Sequence, residues 1–156
     1  MSGYPAGGAG SCRGAASVGP AGLAQHLARH RLADLFLDTR PFNAHTTASD
    51  ALWAGLPVLT LPGNGFPSRV AASLLKAAGL PELVCQTPQE YEDMAVALAE
   101  DSPRLGALRA RLQAQRLHCP LFDTARTARH LEQAFEHIVT RQRAGLPCEH
   151  WLLGEG

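Results

Sequence analysis

The stretch Asn43–Gly63 reads NAHTTASDALWAGLPVLTLPG, and its pattern decides the fold. A polar cluster of one histidine and two threonines precedes a short run with helical spacing. That run ends at Gly55, which suits the C-terminal cap of a helix. The next residues, LPVLTLP, are a compact apolar segment typical of a buried strand. The stretch therefore predicts a helix over about residues 47–54 followed by a strand.

The flanking segments continue this alternation. Upstream, AGLAQHLARHR has leucines at helical spacing, and LADLFLDT follows as a short apolar strand. Downstream, SRVAASLLKAAG predicts a third helix, and a third strand is expected around residues 82–85. Strands that alternate with helices indicate right-handed crossovers and a parallel sheet. Because doubly wound nucleotide-binding lobes usually have about six strands, three strands predict a Rossmann-like half-lobe of α/β class.

The C-terminal third is predicted to be helical. Thr87, Pro88 and Glu90 form a capping-box arrangement that predicts a helix start. SPRLGALRARLQAQR and TARTARHLEQAFEHIVTRQR predict two further helices, which are expected to cover the sheet. Residues 1–20 contain many Gly and Pro and few large apolar side chains, so they are predicted to be a flexible leader.

Composition limits the classes of partner. The 156 residues contain 14 basic and 14 acidic side chains, so no excess positive charge favours nucleic acid or a membrane surface as a partner. The four cysteines are widely scattered, which indicates neither a zinc site nor a disulfide framework. No apolar segment approaches the length of a membrane span. These features favour a cytoplasmic protein with one globular unit.

The polar cluster His45-Thr46-Thr47 lies just past the first predicted strand, where ligands of open parallel sheets bind. Unpaired N–H groups and the positive end of the helix dipole favour an anion there, and a diphosphate fits best. Asp50, one turn further, can accept hydrogen bonds from a ribose. The alternative is that Thr47 and Asp50 only cap the helix.

Three basic side chains share one face of the preceding helix. His26 precedes Arg29 by three residues and His30 by four, and an imidazole or guanidinium plane suits contact with a base. An exposed basic helix face that is only solvated is the alternative. A metal site built from these histidines and nearby aspartates lacks a recognised ligand motif. A complete hydrolase is disfavoured because the chain has no nucleophile elbow such as GxSxG.

Five segments together resemble one known family. HLARHRLADLFLDT, NAHTTASDALWAGLPVLTLPG, SRVAASLL, EYEDMAVALA and PLFDTARTARHLEQAF are similar, in order, to the C-terminal part of the catalytic region of O-GlcNAc transferases. These are the SPINDLY-like glycosyltransferases of family 41. The pattern HTTxxDxLWxGxPV is long and specific, and the similarity runs from about residue 23 to about residue 140.

The resemblance implies a GT-B architecture in which this chain is part of the lobe that binds the donor UDP-GlcNAc. By this resemblance, His45, Thr46 and Thr47 bind the diphosphate and Asp50 binds the ribose. His26 packs against the uracil, and Arg29 is a nearby basic residue. Residues 21–143 would be this donor-binding part, and residues 144–156 would be a tail.

The implied reaction is an inverting transfer of N-acetylglucosamine to a Ser or Thr hydroxyl of an acceptor protein, with no metal and no cofactor. The family's first lobe, its tetratricopeptide repeats and its catalytic residues match nothing here, so the chain is expected to be a truncated family member. Leu23 also stands where the family has a basic residue. The alternative is a non-catalytic remnant or interaction module that no longer binds nucleotide.

Overall fold

The computed structural model describes residues 22–153, so the predicted leader at residues 1–20 lies outside the described residues. In the described part, helices and short strands alternate as far as α3, and three helices follow. The elements are α1 (Leu23–Arg29), β1 (Phe36–Leu37), α2 (Thr46–Trp53), β2 (Val58–Leu59), α3 (Val70–Ala77), α4 (Pro88–Glu100), α5 (Ser102–Gln115) and α6 (Thr124–Arg143). Short 3-10 turns occupy His30–Leu32, Pro67–Arg69, Pro81–Leu83 and Pro120–Phe122.

The sheet is parallel but smaller than predicted. β1 pairs with β2 in a register that sets Phe36 opposite Val58. The predicted third strand at residues 82–85 is wrong, because the 3-10 turn Pro81–Leu83 occupies its first half. Proline has no N–H to donate and a fixed φ, so the chain turns there. Only a single parallel bridge remains, between Thr60 and Val84.

The core lies between the sheet and the helices that follow it. Leucines on the inward faces of these elements are fully buried: Leu52, Leu59, Leu75, Leu98 and Leu112. The predicted end of α2 is confirmed, since Gly55 has a φ of 85° and its N–H donates to Leu52 O at 3.1 Å. Only a residue that tolerates positive φ closes a helix in this way. The chain therefore reverses directly from α2 into β2.

The predicted capping box of α4 is confirmed. Thr87 Oγ1 accepts a hydrogen bond from the Glu90 N–H at 3.1 Å, and Glu90 Oε2 accepts one from the Gln86 N–H at 2.6 Å. The side chains of Asp101 and Asp123 cap α5 and α6 in a similar way. These three helices therefore satisfy part of their own N-terminal N–H groups.

The helices at the two ends of the described chain are less buried than expected. α1 has no buried residue, and Leu23 is 72% exposed. α4 and α5 contribute leucines to the core, but α6 contributes none, so the expectation that every trailing helix covers the sheet is wrong for α6. On this helix, the side chains of Leu131, Phe135 and Ile138 are more than half exposed. Among the described helices, none is long and apolar enough to cross a membrane.

Candidate functional site at the start of helix α2

Helix α2 begins without a side-chain cap. Its N-cap residue is His45, and Ser49 N–H donates the first intrahelical bond to His45 O at 3.1 Å. Thr46 and Thr47 are exposed, and within residues 22–153 their N–H groups have no hydrogen-bond partner. In contrast to α4, α5 and α6, this helix leaves its N-terminal donors open to a ligand.

The imidazole of His45 is held from three sides. Its Nε2–H donates to Pro67 O at 3.0 Å. The ring stacks on Phe42 at 5.3 Å between centroids, and the ring of Phe66 approaches edge-on at 6.1 Å. Because Nε2–H is engaged, the nitrogen that remains for another partner is Nδ1, which donates to an anion in the imidazolium form of the ring.

A cavity of about 470 Å³ opens at the same end of the sheet. It is formed by β1, by the loop that follows β1 and by the first turn of α2. All three residues of the polar cluster line it, namely His45, Thr46 and Thr47. The structure therefore brings these predicted site residues together at the carboxyl end of a parallel strand, where open α/β sheets bind ligands.

The other predicted site residues meet on the flank of α2. His26 Nε2 lies 3.1 Å from Asp50 Oδ2, although the two residues are 24 positions apart in the chain. Arg29 Nη2 donates to His26 Nδ1 at 2.5 Å, so Nδ1 is the acceptor and the ring hydrogen is on Nε2. His26 therefore donates to the Asp50 carboxylate and leaves Asp50 Oδ1 for another donor.

His26 and Asp50 do not line the cavity, but α2 carries both Asp50 and the two threonines that do. Asp50 follows Thr46 and Thr47 by four and three residues, so the three side chains lie on the same side of α2. The capping alternative for Thr47 and Asp50 is wrong, because no side chain among the described residues caps α2 and Asp50 bonds to His26 instead. The solvated-face alternative is also wrong for His26, which is half-buried and bonded to Asp50.

Sequence reasoning missed a buried polar network that forms part of the cavity wall. Asp38, Asn43 and Thr60 are each at most 2% exposed. Asp38 Oδ2 accepts hydrogen bonds from Asn43 Nδ2 and from Thr60 Oγ1, both at 2.6 Å. Asp38 Oδ1 accepts one from the Ala44 N–H, also at 2.6 Å. The available signal was a polar residue at or near the end of each of two apolar strands.

Tyr91 on α4 lies close enough to this network to be affected by it. Burial raises the pKa of the Tyr91 phenol above 10.0, and the nearby Asp38 and Cys85 raise it further. Burial also raises the pKa of the Cys85 thiol, with Glu90 adding to the effect. Within the described residues, no group of three or more His, Cys, Asp or Glu side chains is arranged to hold a metal ion.

The fold and the site define a Rossmann-like α/β half-lobe with an open helix start at the carboxyl end of its sheet. The family model described as glycosyl transferase family 41 matches residues 17–131. The chain belongs to glycosyl transferase family 41. The family resemblance expected from the sequence is thereby confirmed.

Known relatives match most of this chain but only a small part of their own length. A probable UDP-N-acetylglucosamine–peptide N-acetylglucosaminyltransferase SEC of Arabidopsis thaliana is 43% identical over 84% of this chain and 14% of its own. A UDP-N-acetylglucosamine–peptide N-acetylglucosaminyltransferase of Caenorhabditis elegans is 40% identical over 81% of this chain and 11% of its own. The chain thus spans about a seventh or less of these relatives.

A solved structure matches the fold. A mutant of the Thermobaculum terrenum O-GlcNAc transferase superposes with a TM-score of 0.71 and is 37% identical, covering 76% of this chain and 23% of the transferase. The predicted α/β fold class, a half-lobe of the GT-B type with trailing helices, is confirmed by this match. The boundaries drawn at residues 21–143 and 144–156 stay predictions.

Proposed function

We propose that this chain supplies the UDP-binding part of a protein O-GlcNAc transferase. The diphosphate of the donor UDP-GlcNAc would lie at the start of α2 on His45, Thr46 and Thr47. The ribose would bind Asp50, and the uracil would pack against His26 beside Arg29. The complete enzyme would transfer N-acetylglucosamine to a Ser or Thr hydroxyl of an acceptor protein, without a metal or cofactor.

One observation carries this proposal. His26 on α1 lies 3.1 Å from Asp50 on α2, and the first turn of α2 lines the cavity. A base, a ribose and a diphosphate follow one another in a nucleotide. The residues assigned to them follow in the same order, from His26 on α1 to Asp50 on α2 and then to the first turn of α2. Capping or solvation alone gives no reason for this arrangement.

Electrostatics supports a diphosphate as the ligand of the first turn. The net charge of the chain is zero, so bulk positive charge is no source of affinity. Unpaired N–H groups at a helix N-terminus carry partial positive charge and bind anions directly. As the bond between sugar and phosphate breaks, negative charge grows on the departing diphosphate. Donors already oriented toward it would stabilise that charge in the transition state.

The roles of Asp50 and His26 follow from their hydrogen-bonding state. His26 occupies one carboxylate oxygen, which fixes the orientation of Asp50 and leaves Oδ1 to accept from a ribose hydroxyl. Arg29 fixes the ring tautomer of His26 through Nδ1. The face of the imidazole would then be oriented to pack against a planar base.

Isothermal titration calorimetry with UDP and with uridine tests this proposal. His45→Ala should weaken UDP binding by about ten- to a hundredfold, the value of a hydrogen bond to a charged group, and leave uridine binding unchanged. Asp50→Ala should weaken both ligands, because both contain the ribose. His118→Ala and Asp93→Ala are the matched controls, since both residues are exposed and lie outside the site.

A folded wild-type chain that binds no UDP at millimolar concentration would contradict the proposal and favour the interaction-module alternative. Equal loss of UDP and uridine binding in His45→Ala would contradict the assignment of His45 to the diphosphate. Circular dichroism of each variant confirms that the fold is retained before affinities are compared.

A further inference from the structure

The buried Asp38 carboxyl group joins three separate parts of the chain. Asp38 follows the end of β1, Thr60 follows the end of β2, and Ala44 lies directly before the polar cluster. The loop donates to Asp38 through Asn43 and Ala44, and the residue after β2 donates through Thr60, all at 2.6 Å. The loop that leads into α2 is therefore tied to the two paired strands through one side chain.

Packing alone does not explain why a threonine occupies position 60. Thr60 is fully buried in an otherwise apolar segment, where valine has the same shape and no hydroxyl to desolvate. The hydroxyl instead completes the donor set of Asp38. Asn43 Nδ2 adds weaker bonds to Thr60 Oγ1 at 3.2 Å and to Leu61 O at 3.3 Å. The Asn43 amide thus connects the loop to the end of β2, and the Ala44 N–H and the Thr60 hydroxyl connect the loop and β2 to Asp38.

We propose that Asp38, Asn43 and Thr60 are positioning residues that hold the loop so that the imidazole of His45 and the first N–H groups of α2 face the diphosphate. This inference rests on the proposed function, which it deepens. Asp38 and Asn43 line the cavity at the diphosphate end of the site, and the network has no bond to the His26–Asp50 pair. Its effect is therefore confined to diphosphate binding and spares the nucleoside.

Thr60→Val and Thr60→Ala both remove the hydroxyl that donates to Asp38. Valine keeps the shape of the side chain and alanine shortens it, whereas Thr60→Ser keeps the hydroxyl. By calorimetry, the first two variants should bind UDP about tenfold more weakly than wild type, the cost of one hydrogen bond to a charged group. Thr60→Ser should stay within about twofold of wild type. Uridine affinity should stay within about twofold of wild type in all three variants. A general loss of structure would lower both affinities together.

Leu112→Val is the control for stability alone. Leu112 is fully buried on α5 and belongs to the core, away from the loop. The Leu112→Val substitution should lower the free energy of unfolding while leaving UDP and uridine affinity unchanged. If Leu112→Val weakens UDP binding as much as Thr60→Val does, or if Thr60→Val weakens UDP and uridine equally, the positioning role is overturned.

Amide hydrogen exchange of the ligand-free chain separates this inference from the proposed function. Exchange at Ala44, whose N–H donates to Asp38, should be faster in Thr60→Val than in wild type and unchanged in Leu112→Val. If wild type binds no UDP, the proposed function fails, and the exchange result alone decides whether the network holds the loop. Unchanged exchange in Thr60→Val overturns the inference in either case.

Discussion

Breaking the contact between His26 and Asp50 should weaken the attachment of α1 to the rest of the fold. α1 is seven residues long and has no buried residue, so apolar burial contributes little to its docking. The hydrogen bond between His26 Nε2 and Asp50 Oδ2 joins it to α2 across 24 positions of sequence. A double-mutant cycle with His26→Ala and Asp50→Ala isolates the contribution of this bond.

The size of the coupling follows from the exposure of the two side chains. A hydrogen bond between a neutral donor and a buried carboxylate contributes about 1.5–3 kcal/mol, whereas an exposed ion pair contributes about 0–1 kcal/mol. The side chains of His26 and Asp50 are 22% and 26% exposed, so the contact lies between these limits. We therefore expect a coupling energy of about 1 kcal/mol.

Urea denaturation of the wild type, the two single variants and the double variant measures this coupling. The contact between Arg109 and Asp34 is a matched control, because its atoms are 3.2 Å apart but the Asp34 side chain is 81% exposed. Its cycle should give a coupling near zero. If the two cycles give equal coupling energies, then exposure does not set the strength of the His26–Asp50 bond and the reasoning fails.

Two further predictions concern α4. Thr87→Ala removes the acceptor of the Glu90 N–H and should lower the free energy of unfolding by about 1 kcal/mol in urea denaturation; no change would contradict a stabilising cap. Because the native pKa of Tyr91 is raised above 10.0, its contribution to stability is present below that pH and is lost as the pH rises above it. Tyr91→Phe should therefore flatten the alkaline decline in urea midpoints, and an unchanged slope would contradict this.

Local signals were sufficient to predict most helices. The start of α4 at Pro88 and the end of α2 at Gly55 each depend on side-chain or backbone chemistry within a few residues. Such chemistry is contained in a short stretch of sequence, so it is readable before the fold is known. The prediction of a third strand was wrong for a related reason, because the turn preference of Pro81 outweighed the apolar pattern that followed it.

For the candidate site too, local features were predictable from the sequence and long-range contacts were not. The positions of His45, Thr46 and Thr47 at a helix start were predictable from their neighbours and from the family resemblance. The bond between His26 and Asp50 depends on how α1 packs on α2, and spacing along one helix carries no information about that. The Asp38 network likewise required the relative register of β1 and β2.

A two-strand sheet is small for orienting a ligand site, and the contacts around it indicate how it does so. The two strands contribute two residue pairs. Asp38, which follows β1, accepts a hydrogen bond from Thr60, which follows β2. Because the donors to a buried carboxyl group are costly to leave unpaired, the loop has few alternative arrangements. The site therefore depends more on this buried polar network than on the extent of the sheet, and loss of the Thr60 hydroxyl should affect diphosphate binding more than loss of a core methyl group.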